Sequence, residues 1–386
     1  MLFPRFGTAF AGVTRAMVLV LVLVSALPVR AMDTVAKQAM IVDFDTDTVL
    51  LEKNADQLMA PSSMSKLMTV YMLFERLKEG SVSLTDQFAV SERAWRMGGS
   101  KMFVQIGSRV KVEDLLRGIL VDSGNDACVV VAENLAPSED EFAAEMTKKA
   151  PKIGLKNSTF KNATGWPNPE HQMTARDLVI LAKRIMSDFP QYYPIFKEMD
   201  FTYNGIKQGN RNPLLYHTNL GADGLKTGHT EVGGYSLTAS AVRDGRRVIM
   251  VLNGMETMKE RAQESERLID WAFREFEDKK LFDANEIVTT ADVWLGVMPV
   301  VPLVVKNTVK MTLPRRTSKN IKVSAIFNSP IPAPIRKGDR IATLVISAPD
   351  MPAMELPLEA GEDIARLGFV GRIGAAAKRM VTGSAH

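Results

Sequence analysis

The chain has 386 residues, 46% of them hydrophobic and 24% charged, enough for two domains with apolar cores. Its net charge of +4 is too mild to argue for a nucleic-acid partner, and it is local: Arg366, Arg372, Lys378 and Arg379 follow Asp363 with no acid among them. A single cysteine, Cys128, excludes an intramolecular disulfide, and the four histidines (His171, His217, His229, His386) lack ligand spacing, so neither a metal nor a cofactor is expected.

Residues 1–31 read as an export signal. Arg5 and Arg15 flank the approach to an apolar run at 16–27, and Val29-Arg30-Ala31 offers small residues around a cleavage point. The run is shorter than the roughly 20 apolar residues a membrane span needs. The mature chain is therefore expected to begin near Met32, outside the cytoplasm, with an uncleaved anchor as the alternative.

Residues 40–44 and 48–51 form a predicted hairpin around an Asp-rich turn. After Ala60-Pro61-Ser62-Ser63, apolar residues recur at Met64, Leu67, Met68, Tyr71, Phe74 and Leu77, a helical stripe. Pro61 and Ser62 just ahead supply stop and N-cap signals, which places Ser63 in the first turn and Lys66 one step along the same face. A second helix is expected at 112–120. It ends in Val121-Asp122-Ser123-Gly124-Asn125-Asp126, loop chemistry ahead of a buried helix at 127–135 that holds Cys128 as a core residue. Residues 136–218 mix helices (139–149 and 174–187) with loops, of which Thr164-Gly165-Trp166-Pro167-Asn168-Pro169 is the clearest. From Gly221 the pattern turns to strand, and 235–242 with 247–252 flank Arg243-Asp244-Gly245-Arg246, a hairpin signal. A helix at 262–276 returns against this sheet.

Short strand-like runs follow at 286–293, 301–305, 321–327 and 340–346, broken by Pro and Gly. They imply a small all-β domain at 281–362, joined through 279–283 to a first domain at 32–280. In the tail, 363–386, a helix over 365–381 puts Leu367, Val370, Ile373 and Ala377 on one face and basic residues around the others. That pattern suits a helix lying in a membrane interface, or else a terminal helix docked on the β-domain.

A serine hydroxyl needs an adjacent base to act as a nucleophile, and a lysine can be that base if burial or a second cation lowers its pKa. Ser63-Met64-Ser65-Lys66 has the spacing, but so do Ser108…Lys111 and Ser158…Lys161, and taken alone Ser63 and Lys66 read more readily as a capping serine and a solvated lysine. What raises the first pair above the others is order: Ser123-Gly124-Asn125 follows it, and then Lys226-Thr227-Gly228, which occurs once.

With these three motifs the chain resembles the low-molecular-weight penicillin-binding proteins, serine-type D-alanyl-D-alanine carboxypeptidases, over nearly everything after Met32. Asp223-Gly224-Leu225-Lys226-Thr227-Gly228-His229-Thr230 and Gly234-Tyr235-Ser236-Leu237-Thr238-Ala239-Ser240 look like the family's strand and its continuation. The resemblance implies an α+β fold of the serine β-lactamase and transpeptidase kind, an antiparallel sheet with helices on both sides, then a small all-β sandwich and an amphipathic anchor. It implies Ser63 as nucleophile, Lys66 as base and Ser123 as proton relay. Asn125 would orient substrate, Lys226 would add a second cation that favours neutral Lys66, and Thr227 would meet the substrate carboxylate beside Gly228. Backbone N–H groups of Ser63 and His229 would form the oxyanion hole, and Arg261 would sit near the carboxylate, unless it is merely a solvated arginine at a helix start. The partners implied are the D-Ala-D-Ala end of peptidoglycan stem peptides, β-lactams as covalent inhibitors, and the periplasmic face of the cytoplasmic membrane. A β-lactamase or a DD-endopeptidase on the same fold is the alternative. Glu170-His171-Gln172-Met173-Thr174 departs from the Glu-x-x-Leu-Asn of class A β-lactamases, which counts against efficient β-lactam hydrolysis.

Overall fold

The computed structural model of the chain describes residues 32–349 and 351–382; the expected export signal at 1–31 lies outside the described residues. The first sheet has five strands, β1 (Gln38–Asp43), β2 (Val49–Lys53), β3 (Ala222–Thr230), β4 (Gly234–Arg243) and β5 (Arg246–Met255), in the order β2-β1-β5-β4-β3. Every pairing is antiparallel. The β4–β5 turn has Asp244 at φ 52° and Gly245 at φ 77°, the left-handed pair that a two-residue hairpin requires.

Both faces of the sheet are covered because β5 alternates. Ile249 and Val251 join a core with helices α1 (Lys66–Glu79), α2 (Val112–Leu120), α3 (Asn125–Leu135) and α4 (Ala175–Asp188). Val248, Met250 and Leu252, equally buried, point to the other side, where α5 (Met258–Glu275) packs on β4 and β5. Thr174 and Thr257 cap α4 and α5 by accepting from the N–H of Asp177 and Glu260, each worth roughly 1 kcal/mol. Cys128 is fully buried in α3, as expected.

From Phe276 the chain is all β. A ribbon of β6 (Phe276–Phe282) and β9 (Val309–Pro314) accompanies a six-stranded sheet of β7 (Ile287–Trp294), β8 (Val300–Val304), β10 (Lys322–Ile326), β11 (Ile331–Pro332), β12 (Arg340–Ser347) and β13 (Met354–Ala360), in the order β10-β12-β13-β8-β7-β11. Val309, Met311 and Leu313 of the ribbon share one core with Leu303, Leu344 and Leu358 of the sheet. Most of the stretch read as a join, 279–283, is strand in β6. The ribbon is tied to the first sheet by Arg246, whose Nε donates to Asp43 at 2.8 Å and Asp278 at 3.1 Å. Thr46 with Thr312 (2.5 Å) and Lys310 with Asp45 (2.6 Å) add to that seam. Helix α6 (Phe369–Thr382) closes the described chain, with Phe369 and Val370 exposed.

Candidate active site

A 3₁₀ turn, Ser62–Ser65, leads directly into α1. The expectation that Ser62 caps the helix is corrected here: neither the turn nor α1 has a side-chain cap, and the Ser62 hydroxyl instead pairs with Thr230 Oγ1 of β3 at 2.9 Å. This contact presses the turn against the edge strand of the sheet. Gly228 permits the approach, since a side chain there would sit 3.1 Å from the Pro61 carbonyl oxygen and from Ser62 Cβ.

Lys66 is fully buried, and its Nζ lies 2.8 Å from Ser63 Oγ, 2.7 Å from Asn125 Oδ1 and 2.6 Å from the Thr164 carbonyl oxygen. The Asn125 amide is oriented by its Nδ2, which donates to the Gly98 carbonyl at 2.8 Å, so its oxygen faces the amine. Three acceptors satisfy an ammonium. A neutral amine keeps two N–H bonds, to Asn125 Oδ1 and Thr164 O. Those two oxygens can only accept, so the lone pair is left to the one partner with a proton to give, the Ser63 hydroxyl. Burial brings Lys66 down to about 8, with the Arg211 cation adding to the effect. The capping-serine and solvated-lysine reading of this pair does not hold.

Lys226, also buried, donates to Ser123 Oγ at 2.9 Å and to its neighbour's carbonyl, Thr227 O, at 3.2 Å. Ser123 itself is held at φ 60°, the left-handed region. Lys226 is held well below the usual lysine range by burial, then by repulsion from Lys66 and Arg211.

Ser63, Ser123, Thr227, Gly228, His229 and Arg261 all line one cleft of about 510 Å³. Arg261 is not a solvated helix-start residue: it is 6% exposed, donates to the Arg211 carbonyl at 3.3 Å, and burial lowers it to about 10. The His229 side chain is exposed and stacks on Tyr235 with ring centroids 3.9 Å apart. His171 is buried, is not among the residues lining the cleft, and is held neutral, its pKa lowered to about 4 by burial and then by the Lys66 charge. Glu170 is exposed and paired with Lys161 at 3.1 Å, outside the residues lining the cleft.

Several contributors carry no motif. Arg211 lines the cleft and hydrogen-bonds Ser100 Oγ, and its charge acts on Lys66, Lys226 and Arg261. Asp126 gathers the N–H groups of Met102 (2.9 Å), Phe103 (2.9 Å) and Val104 (3.2 Å), which fixes the loop whose Gly98 carbonyl aims Asn125. Asn162 Oδ1 accepts from the N–H of Thr164, Gly165 and Trp166, which fixes the carbonyl that Lys66 uses. Asp122, buried beside Ser123, is pushed up to about 7 by burial, against the pull of Arg211.

A serine hydrogen-bonded to a buried amine, a second serine held by a second lysine and a cation-lined cleft define an active-serine site for acyl transfer. Residues 25–257 match the Peptidase S11 family, described as D-alanyl-D-alanine carboxypeptidase, and residues 276–366 match the C-terminal domain of penicillin-binding protein 5. The D-alanyl-D-alanine carboxypeptidase DacC of Escherichia coli is 37% identical over 352 residues, covering 89% of this chain and 88% of the relative. Penicillin-binding protein 5 from Haemophilus influenzae superimposes with a TM-score of 0.79 at 34% identity, covering 87% of this chain and 99% of the other. Penicillin-binding protein D2 from Listeria monocytogenes, solved in its ampicillin-bound form, gives 0.57 at 28% identity, over 63% of this chain and 98% of the other. The chain belongs to the D-alanyl-D-alanine carboxypeptidase family of penicillin-binding proteins.

Proposed function

We propose that this serine-type D-alanyl-D-alanine carboxypeptidase trims the terminal D-alanine from peptidoglycan stem peptides through an ester on Ser63, with no metal or cofactor. The observation that carries the reading is the Lys66 amine, fully buried and 2.8 Å from Ser63 Oγ, with only that hydroxyl able to donate to it. Neutral Lys66 takes the proton as Ser63 Oγ attacks the carbonyl carbon of the penultimate D-alanine. The negative oxygen faces the N–H groups of Ser63 and His229, a contribution of about 3–4 kcal/mol per donor in other enzymes. The C–N bond then breaks as Ser123 gives its proton to the departing amine and takes up the one Lys66 had accepted, so D-alanine leaves and Lys66 is neutral again. Water attacks the ester, its proton passing through Lys66 to Ser63 Oγ as the ester C–O bond breaks, and the shortened peptide is released.

Thr227, Arg211 and Arg261 supply the donors for the substrate's terminal carboxylate, an arrangement in which arginine forks are strong. β-Lactams would acylate Ser63 and leave slowly, and the exposed, ion-paired Glu170 supports slow release. Purified protein is expected to release D-alanine from a blocked peptide ending in D-Ala-D-Ala. No release while the chain is folded would contradict the reading.

We further propose that 32–280 is the catalytic domain, 281–362 a domain that holds it off the bilayer, and 363–386 an interfacial anchor on the periplasmic side. The exposed Phe369, Val370 and Ile373 of α6 support the anchor. None of the helices described is long and apolar enough to cross a membrane. Truncation after Asp363 should move the protein from the membrane fraction to the soluble one; retention of the truncated form on membranes would place the attachment elsewhere.

A further inference from the structure

Glu139 opens the helix Glu139–Lys149, where the N-terminal N–H groups favour a negative charge. It is only 3% exposed, and a charge that deep persists only with specific partners. Its Oε1 accepts from the Ala163 N–H at 3.0 Å, and its Oε2 accepts from Arg93 Nη2 at 2.6 Å.

Each partner leads to the Lys66 amine. Ala163 precedes Thr164, whose carbonyl oxygen lies 2.6 Å from Lys66 Nζ. The Ala163 carbonyl accepts from the buried Thr69 hydroxyl at 2.7 Å, and Thr69 stands on α1 one helical step beyond Lys66. Ala163 is therefore clamped at both ends, by Glu139 at its N–H and by Thr69 at its carbonyl. Arg93 lies in the short helix Glu92–Arg96, which leads to Gly98, and the Gly98 carbonyl aims Asn125. The two loops also meet directly, with the Trp166 ring against Gly98 and Gly99. One buried carboxylate thus joins the loop that gives Lys66 an acceptor to the loop that orients its other one, Asn125 Oδ1.

We propose that Glu139 is a positioning residue for acyl transfer, fixing where the Thr164 carbonyl meets Lys66. The proposal rests on the carboxypeptidase reading, with Lys66 as its base, and deepens it. Burial is the chief cause that brings Lys66 down to about 8. The charged or titratable groups around the amine are Cys128 and Asp126 on α3, Lys226 on β3, and Arg211 and His171 in loops, and none of them is altered by a change at Glu139. When the Ala163–Thr164 backbone drifts, water reaches the amine, its pKa rises, and less of the base is neutral at a given pH. A misplacement of about 1 Å is enough to cost roughly a hundredfold in rate.

The test follows acylation by penicillin against pH, using protein spanning residues 32–386. Glu139→Met keeps the side chain's length and loses both acceptors. Its rate should fall about tenfold to a hundredfold, and the limb near pH 8 should move up by about one unit. Glu139→Gln keeps an amide oxygen for the Ala163 N–H, so it should restore most of the rate and bring the limb back toward wild type. A role for the charge itself gives a different pattern: both variants would move the limb equally, and downward, because loss of a nearby anion lowers a lysine. Thr69→Val frees the other end of Ala163 and should also move the limb up, which keeps the test decisive where Glu139→Met does not fold. An unchanged limb in every folded variant, or equal shifts in Glu139→Met and Glu139→Gln, would overturn the clamp while leaving the reaction intact. Folded wild-type protein that takes up no penicillin would instead overturn the carboxypeptidase reading.

Discussion

Replacing Lys66 with methionine should slow acylation of Ser63 by penicillin roughly a thousandfold to ten-thousandfold, the range general-base catalysis supplies. The side chain keeps its length and loses only the amine, so the helix that carries it is undisturbed. Asn125 Oδ1 and the Thr164 carbonyl lose a donor, which costs about 1–3 kcal/mol each, but the burial penalty of the amine disappears with it. The melting temperature should therefore change little while the rate falls. The pH profile gives a second readout. Lys66 is lowered to about 8, and only its neutral form can accept the Ser63 proton, so wild-type acylation should drop as pH falls through 8, by about tenfold per unit below that. In the methionine variant this limb should vanish. A variant that acylates within tenfold of wild type, or keeps the same limb, would remove Lys66 from the role of base.

Replacing Lys226 with methionine should cost acylation about a hundredfold or more, for a different reason. Lys226 holds Ser123 Oγ at 2.9 Å, and in the mechanism proposed above that hydroxyl passes a proton to the leaving amine. Without the lysine, the hydroxyl is free to rotate in a residue already at φ 60°, and the cleft loses one of its cations. If the two act as a unit, adding Ser123→Ala to the Lys226 variant should cost little more than either change alone. Stopped-flow acylation of both single variants and the double variant measures this directly. Fully additive losses would separate the two residues and leave Lys226 a purely electrostatic role.

Much of the candidate site was legible because three motifs stand in one order and resemble a known family's. They single out Ser63, Lys66, Ser123, Asn125 and Lys226, side chains that the structure joins by hydrogen bonds from Lys66 to Ser63 and Asn125 and from Lys226 to Ser123. The helices at 112–120, 127–135 and 139–149 were legible from apolar spacing, and the β4–β5 hairpin from Asp244-Gly245. What holds the motifs in place was not legible. Thr164 contributes only a backbone carbonyl, as does Gly98, and any residue type has one. Asp126 and Asn162 act by gathering N–H groups, work that leaves no spacing signature. Arg211 sits in the loop after the ribbon of Asp200–Tyr203 and Ile206–Gly209, strands missed although Asn204-Gly205 is a hairpin signal. In β6, charged residues from Glu277 to Lys280 hid a strand whose two faces are both partly exposed, so it read as a helix end and a join.

The part of Arg211 was also out of reach. Its charge lowers both Lys66 and Lys226, and no motif reveals it. Arg261 is the counterpart case. A lone arginine at a helix start gives no sign of burial, and only the packing of α5 on β4 carries it into the cleft.

The central claim is that the hydroxyl of Ser63 is the group that becomes covalently bound. Protein spanning residues 32–386, incubated with penicillin, digested and mapped by mass spectrometry, tests it most directly. The account predicts one adduct of the intact drug mass, confined to the peptide carrying Ser63, abolished in Ser63→Ala and left in place by Ser123→Ala at long incubation. An adduct on any other residue, or none on folded wild-type protein, would contradict it.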